Sequence, residues 1–204
     1  LLQAGTVQQA GEASITTLGT SQMSTIGEAS EIHINGLNDV TINSLIGRDS
    51  AGLVLLDINS TQGTLTLNKE SGWLETAGFI RLQGNQVNLA GVIRSIGTSA
   101  DADDYEVKVT STSDVNLTGD FQFAGAFITN AGADLNIYNT SLHADNAGHR
   151  IKLITGEDMV MGRQATATAE NNSLLEPGQT FMQTALISAD SLVDIDVGGM
   201  LWIN

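Results

Sequence analysis

The side chains best able to do chemistry cluster at Asp101, Asp103 and Asp104, followed at once by Glu106. Carboxylates this close can share general-acid and general-base work across a glycosidic bond. They can equally supply the hard oxygen ligands that Ca²⁺ takes, and a divalent ion would relieve their mutual repulsion. The plain alternative is a solvated turn. Of the chemical uses Ca²⁺ comes first, so Asp101, Asp103 and Asp104 are the candidate metal ligands. No residue is assigned a catalytic role and no cofactor is required; Ca²⁺ is the one ion the cluster would take.

The other candidates are thinner. Asp194 and Asp196 share one face of a strand, opposite Val193, Ile195 and Val197, which should point inward. They form either a wet face or a cation-bridged column. His33 falls between Ile32 and Ile34 and His143 follows Leu142, so both should face outward, and with His149 they lack transition-metal spacing. Trp73, Trp202, Tyr105 and Tyr138 could stack on sugars, or simply pack at ends and sides. Four Asn-x-Ser/Thr triplets begin at Asn59, Asn116, Asn139 and Asn171, a pattern that so Asn- and Thr-rich a chain produces by chance. There is no Gly-x-Ser-x-Gly elbow, no dinucleotide fingerprint and no phosphate loop.

The elements that must position these residues are short strands. Ile32-His33-Ile34, Val40-Thr41-Ile42, Val87-Asn88-Leu89, Val115-Asn116-Leu117, Leu135-Asn136-Ile137 and Ile151-Lys152-Leu153 all alternate apolar and polar residues, giving one dry face and one wet. They are broken at Gly36, Gly84, Gly91, Gly119, Gly156 and Gly198, residues that tolerate positive φ in tight turns. The strands come in pairs beginning at Ile32, Leu56, Ile80, Val107, Leu135, Ile151 and Val193. The intervals are 24, 24, 27, 28, 16 and 42 residues; one insertion or misplaced pair would restore a period near 27. A third strand fits several turns, as at Trp73-Leu74-Glu75 and Phe121-Gln122-Phe123.

Three strands and three corners per period describe a coil of a parallel β-solenoid. The expected fold is all-β, a parallel β-helix (β-solenoid) of roughly seven coils, with an antiparallel sandwich as the rival. Residues 1–30 read as irregular or as a frayed first coil. Residues 31–204 form the solenoid, with an irregular stretch near 162–180 that loops out before Phe181 restarts the stack.

Composition narrows the partners. Asp and Glu total 23 against 8 Lys and Arg, a formal charge of −15, which repels phosphate backbones and anionic lipid. Neither nucleic-acid binding nor membrane insertion is expected. Zero Cys excludes disulfides and thiolate metal sites. A single Pro, where about ten would be average for this length, fits a backbone whose N–H groups are needed in ladders. The opening at Leu1 and the end at Trp202-Ile203-Asn204 read as a segment of something longer.

Two runs, Phe79 through Gly91 and Ser191 through Gly199, resemble the repeats of filamentous-haemagglutinin-type exoproteins. That resemblance implies a right-handed β-helical shaft, secretion to the cell surface, and a stalk or adhesive role. Expected partners are further repeats or like subunits stacked end to end, and a host-cell or matrix glycan. Gly148-His149 beside Arg150-Ile151-Lys152 is also similar to two polygalacturonase motifs, here fused and without the accompanying Asn-Thr-Asp. The second functional reading is therefore a polysaccharide lyase or hydrolase using Asp103, Asp104 and Arg150 or Lys152 on an acidic polysaccharide.

Overall fold

The structure, a computed structural model, describes residues 2–4, 6–11, 14–17, 22–25, 29–48, 50, 52–95, 105–144, 150–166, 178–189 and 191–204. Among them there is no helix, and three eight-stranded parallel sheets run the length of the chain. Sheet A takes Leu2–Ala4, Gln22–Thr25, Leu45–Ile46, Trp73–Thr76, Val92–Ser95, Asp120–Phe123, Thr140–Ala144 and Ala185–Ala189. Sheet B takes Thr6–Gly11, Ser30–Gly36, Leu53–Ser60, Phe79–Gly84, Tyr105–Ser111, Ala126–Ala131, Arg150–Thr155 and Leu192–Val197. Sheet C takes Ile15–Thr16, Val40–Ile42, Thr64–Leu67, Gln86–Leu89, Val115–Leu117, Leu135–Ile137, Met159–Met161 and Leu201–Ile203. The chain visits A, B and C in turn, eight times, which is a β-solenoid. At about 4.8 Å per coil, the first and last lie roughly 34 Å apart.

The alternation explains the winding. On sheet B, Ile32, Leu56, Ile80, Val107, Phe127, Ile151 and Val193 stand in register, one per coil. On sheet C, Val40, Leu65, Val87, Val115, Leu135, Met159 and Leu201 do the same. One coil cannot hide its apolar side alone, but stacked coils close each column above and below. From Ile32 to Leu153 the inward residues of sheet B are essentially inaccessible to solvent.

Two expectations change in detail. There are eight coils rather than seven, because residues 2–16 supply a complete set of three strands. The pair assigned to Leu135 was misplaced: Leu135 lies on sheet C, in register with Val115 and Met159. The sheet B strand of that coil is Ala126–Ala131, whose inward residues Phe127, Thr129 and Ala131 hide the alternation behind a threonine and an alanine. Between coils seven and eight, Arg163–Thr166 and Thr180–Gln183 form an antiparallel pair of their own. Phe181 lies opposite Ala165 in that pair, so the stack resumes at Ala185.

The corner glycines also do something other than expected. Positive φ among the described glycines is confined to Gly47, Gly162 and Gly178. Gly132, Gly156 and Gly198 instead stack at the B–C corner, where a Cβ on Gly156 would lie 2.2 Å from the Gly132 carbonyl oxygen. Coils can approach at ladder distance there only because nothing projects between them.

The inner A–B corner is filled in two ways. In the early coils it is polar and satisfied: the Thr25 and Ser30 hydroxyls meet at 2.5 Å, and Thr76 Oγ1 donates to the Leu53 carbonyl at 2.7 Å. In the later coils Phe123 and Phe127 stack there, centroids 4.8 Å apart, with Ala144 above.

Candidate functional site

The candidate Ca²⁺ ligands Asp101, Asp103 and Asp104 lie outside the described residues, as does His149. Glu106, the last of that acidic run, is buried at a bulge in its strand, and its carboxylate accepts a bond from Ser95 Oγ at 2.8 Å. Gly125 makes room for it, since a Cβ there would lie 2.4 Å from the carboxyl carbon. Glu106 therefore closes the A–B corner from inside. Among the described residues no group of three His, Asp or Glu side chains is arranged to hold a metal ion.

The histidines and aromatics have structural neighbours. His33 faces outward from sheet B, with Nε2 2.8 Å from Glu31 and Nδ1 3.3 Å from Asp57 on the next coil. The Glu31 carboxylate holds the imidazole above its usual pKa, and Asp57 adds to this while partial burial opposes it. His143 meets Ser188 Oγ across coils seven and eight. The Trp73 ring lies beneath the guanidinium groups of Arg48 and Arg94, at 5.1 and 4.6 Å, and its Nε1 donates to Glu75. Arg163 covers Tyr138 at 3.8 Å. Trp202 stands on the outermost strand of sheet C, half exposed. Trp73, Tyr138 and Trp202 lie on different coils and form no common platform, and the Tyr105 side chain lies outside the described residues.

The outer surfaces carry ladders in which like residues repeat from coil to coil. On sheet C, Asn136 Nδ2 donates to Asn116 Oδ1 at 3.0 Å, and Asn116 Nδ2 to Asn88 Oδ1 at 2.7 Å. At the B–C corner Asp114 Oδ1 accepts from the Asp134 N–H at 3.2 Å. Asp134 accepts from Asp158 at 3.0 Å, and Asp158 from Met200 at 2.8 Å. Each carboxylate thus caps the backbone that opens the next coil, an arrangement that offsets the cost of stacking like charges. Neither ladder was anticipated, although the shared apolar-Asn-apolar triplets and the Asp before Val115, Leu135 and Met159 were its visible signals.

The outer face of sheet B carries cations in its middle coils and acids at either end. Along one outward column the register runs His33, Asp57, Arg81, Lys108, Ile128, Lys152, Asp194. Lys152 Nζ lies 3.3 Å from Asp194 Oδ2, so Asp194 is tied to the coil below by an ion pair. Arg81 donates to the Glu106 carbonyl and covers the Phe79 ring at 5.0 Å. A shallow groove of about 330 Å³ opens between Asp57, Arg81, Gln83, Lys108 and Thr110. Arg150 and Lys152, the residues of the polygalacturonase-like motif, stand at the far end of the same face.

At coil eight the inner side opens to solvent. Among the described residues Ala185–Ala189, Leu192–Val197 and Leu201–Ile203 are the end strands of their three sheets, each with one unpaired edge. Of the coil's inward residues Leu201 and Ile203 are 43 and 70% exposed and Val193 and Ile195 about a third, while Leu186 and Leu192 stand in outward positions, in register with Ser141 and Arg150, and are exposed as well. The inward-pointing role expected for Val193 and Ile195 holds in register, but among the described residues no further coil covers them. Compared with known proteins, the chain matches no family model, no curated protein and no solved structure.

Proposed function

We propose that this chain is a non-enzymatic structural and adhesive segment of a large secreted or cell-surface exoprotein, as its likeness to haemagglutinin-type repeats implies. The observation that carries this reading is the open eighth coil. Three unpaired strand edges around exposed leucine, isoleucine and tryptophan side chains are what a further coil of the same alternation would cover. That coil comes from more repeats or from a like subunit stacked end to end. The mechanical function follows: continuous ladders and internal columns make a stiff rod, and the acidic coat keeps neighbouring rods apart laterally.

Sedimentation of the chain across a wide concentration range, with electron microscopy of the heaviest fraction, tests the reading. The expected result is axial association that is abolished by Ile195→Asp together with Leu201→Asp. A species that stays monomeric at every concentration, or one whose association ignores those two substitutions, would overturn it.

A further inference from the structure

We propose that the outer face of sheet B, across coils four to seven, binds an acidic polysaccharide bearing carboxylate or sulfate groups, laid along the coil axis. The inference deepens the surface role above and rests on it. Its starting point is charge distribution. The chain has only eight Lys and Arg against 23 Asp and Glu, yet Arg81, Lys108, Arg150 and Lys152 all project from adjacent strands of this one sheet. Among the described residues, no outward position on these four strands holds a carboxylate. The acids lie on the flanks, with Glu31 and Asp57 before and Asp194 and Asp196 after.

The solenoid turns that composition into geometry. Arg81, Lys108 and Lys152 stand in one column, with Ile128 between the two lysines. Three coil steps of about 4.8 Å spread them over roughly 14 Å. The neighbouring column, in register, holds Gln83, Thr110 and Asn130. Cations therefore run beside amides and a hydroxyl at the same repeat. The matching ligand is a linear polymer carrying anionic groups and hydroxyls along one edge, which is an acidic saccharide.

Other polyanions fit less well. A nucleic acid strand needs stacking platforms, and Phe79, the aromatic beside Arg81, already lies under that guanidinium. A duplex or an anionic bilayer is broad enough to meet the acidic flanks and be repelled. The groove at Arg81, Gln83, Lys108 and Thr110 is where a single sugar unit would sit deepest, with Asp57 at its edge. Lys152 is shared with Asp194, so the exposed Lys108 is the central contact.

The test uses the intact chain and three probes of matched length: oligogalacturonate, dextran sulfate and neutral dextran, with single-stranded DNA as a polyanion control. Binding is read by calorimetry and by fluorescence anisotropy at low and high salt. The expected result is that one or both acidic saccharides bind at low salt, neutral dextran does not, and affinity falls as salt rises. Lys108→Glu should weaken binding roughly tenfold, and Lys108→Glu with Lys152→Glu should abolish it. Circular dichroism should be unchanged, since both side chains point outward. No binding of either acidic saccharide, binding unaffected by the double variant, or equal binding of DNA would each overturn the proposal. Sedimentation of the same samples keeps the readings apart, because axial association that survives such a failure leaves the structural role intact.

Discussion

Coils seven and eight are written in the same alternation, yet one is core and the other is surface. Ile151 and Leu153 on sheet B are 0% exposed, whereas Val193 and Ile195, directly in register with them, are 36 and 37% exposed. On sheet C, Met159 is sealed while Leu201 above it is 43% exposed. Side-chain type and strand direction are held nearly constant, so the difference comes from the missing neighbour. In a globular domain a residue's burial follows from its own element and the layer it faces. In a solenoid it follows from the next repeat. An apolar column is therefore core where a further coil covers it and exposed surface where none does.

Paired truncations would measure that difference directly. Leu153→Ala leaves a cavity closed on both sides and should cost about 3 kcal/mol, read as a lower urea midpoint with an unchanged slope. Ile195→Ala removes a side chain still in contact with water and should cost about 1 kcal/mol. Equal losses would mean that coil eight is covered in solution, which axial association would produce, so dilution should then restore the gap.

A backbone version sharpens the same contrast. Gly156 and Gly198 each place a hypothetical Cβ 2.2 Å from the carbonyl oxygen of the glycine below. Gly156 is clamped between coils, so Gly156→Ala forces two ladders apart and should cost about 2 kcal/mol. Gly198 can lift away with the end coil, so Gly198→Ala should cost less than half of that. Thermal unfolding of the two variants decides the point.

Inward columns were legible because Val, Ile and Leu alternate strictly with polar residues at Ile32-His33-Ile34 or Val115-Asn116-Leu117, and alternation is a local property. The strand at Ala126–Ala131 was lost because Thr129 and Ala131 fill inward positions, and only its register with Val107–Ser111 reveals it. Surface features were the least legible. The Asn88–Asn116–Asn136 ladder and the Arg81–Lys108–Lys152 column are relations between residues 20 or more positions apart. They exist only once the coil lengths are known, and those vary from 20 residues between Val107 and Phe127 to 42 between Ile151 and Val193. The acidic cluster at Asp101, Asp103 and Asp104 is marked by density alone, and the described acid that follows it, Glu106, is engaged in corner packing.

Thr129 offers a smaller effect of opposite sign. It is fully buried on the inner face of coil six, between Val109 below and Leu153 above, and its hydroxyl has no partner. Thr129→Val keeps the shape and removes an unsatisfied polar group, so the chain should gain about 1 kcal/mol. In coil eight the corresponding residue is Ile195, already apolar, and no such gain is available there. A destabilised Thr129→Val would mean that a buried water or a shifted rotamer satisfies the hydroxyl.

The smallest effect concerns how coils two and three are joined. There the link is His33, whose ring contacts Glu31 on its own coil and Asp57 on the next, whereas coils seven and eight are joined by Lys152 and Asp194. Because the Glu31 bond, with Asp57, raises the folded-state pKa of His33 above 6.5, the folded chain holds this proton more tightly than the unfolded chain. The resulting stabilisation is complete below pH 6.5 and is lost as pH rises through the folded-state value. All three groups are partly exposed, so solvent screening keeps the effect small. Melting temperature should fall slightly across that window in the parent chain, and the step should be absent in His33→Asn. A step of the same size in both would assign it to another group, and the coil-two link would then be independent of protonation.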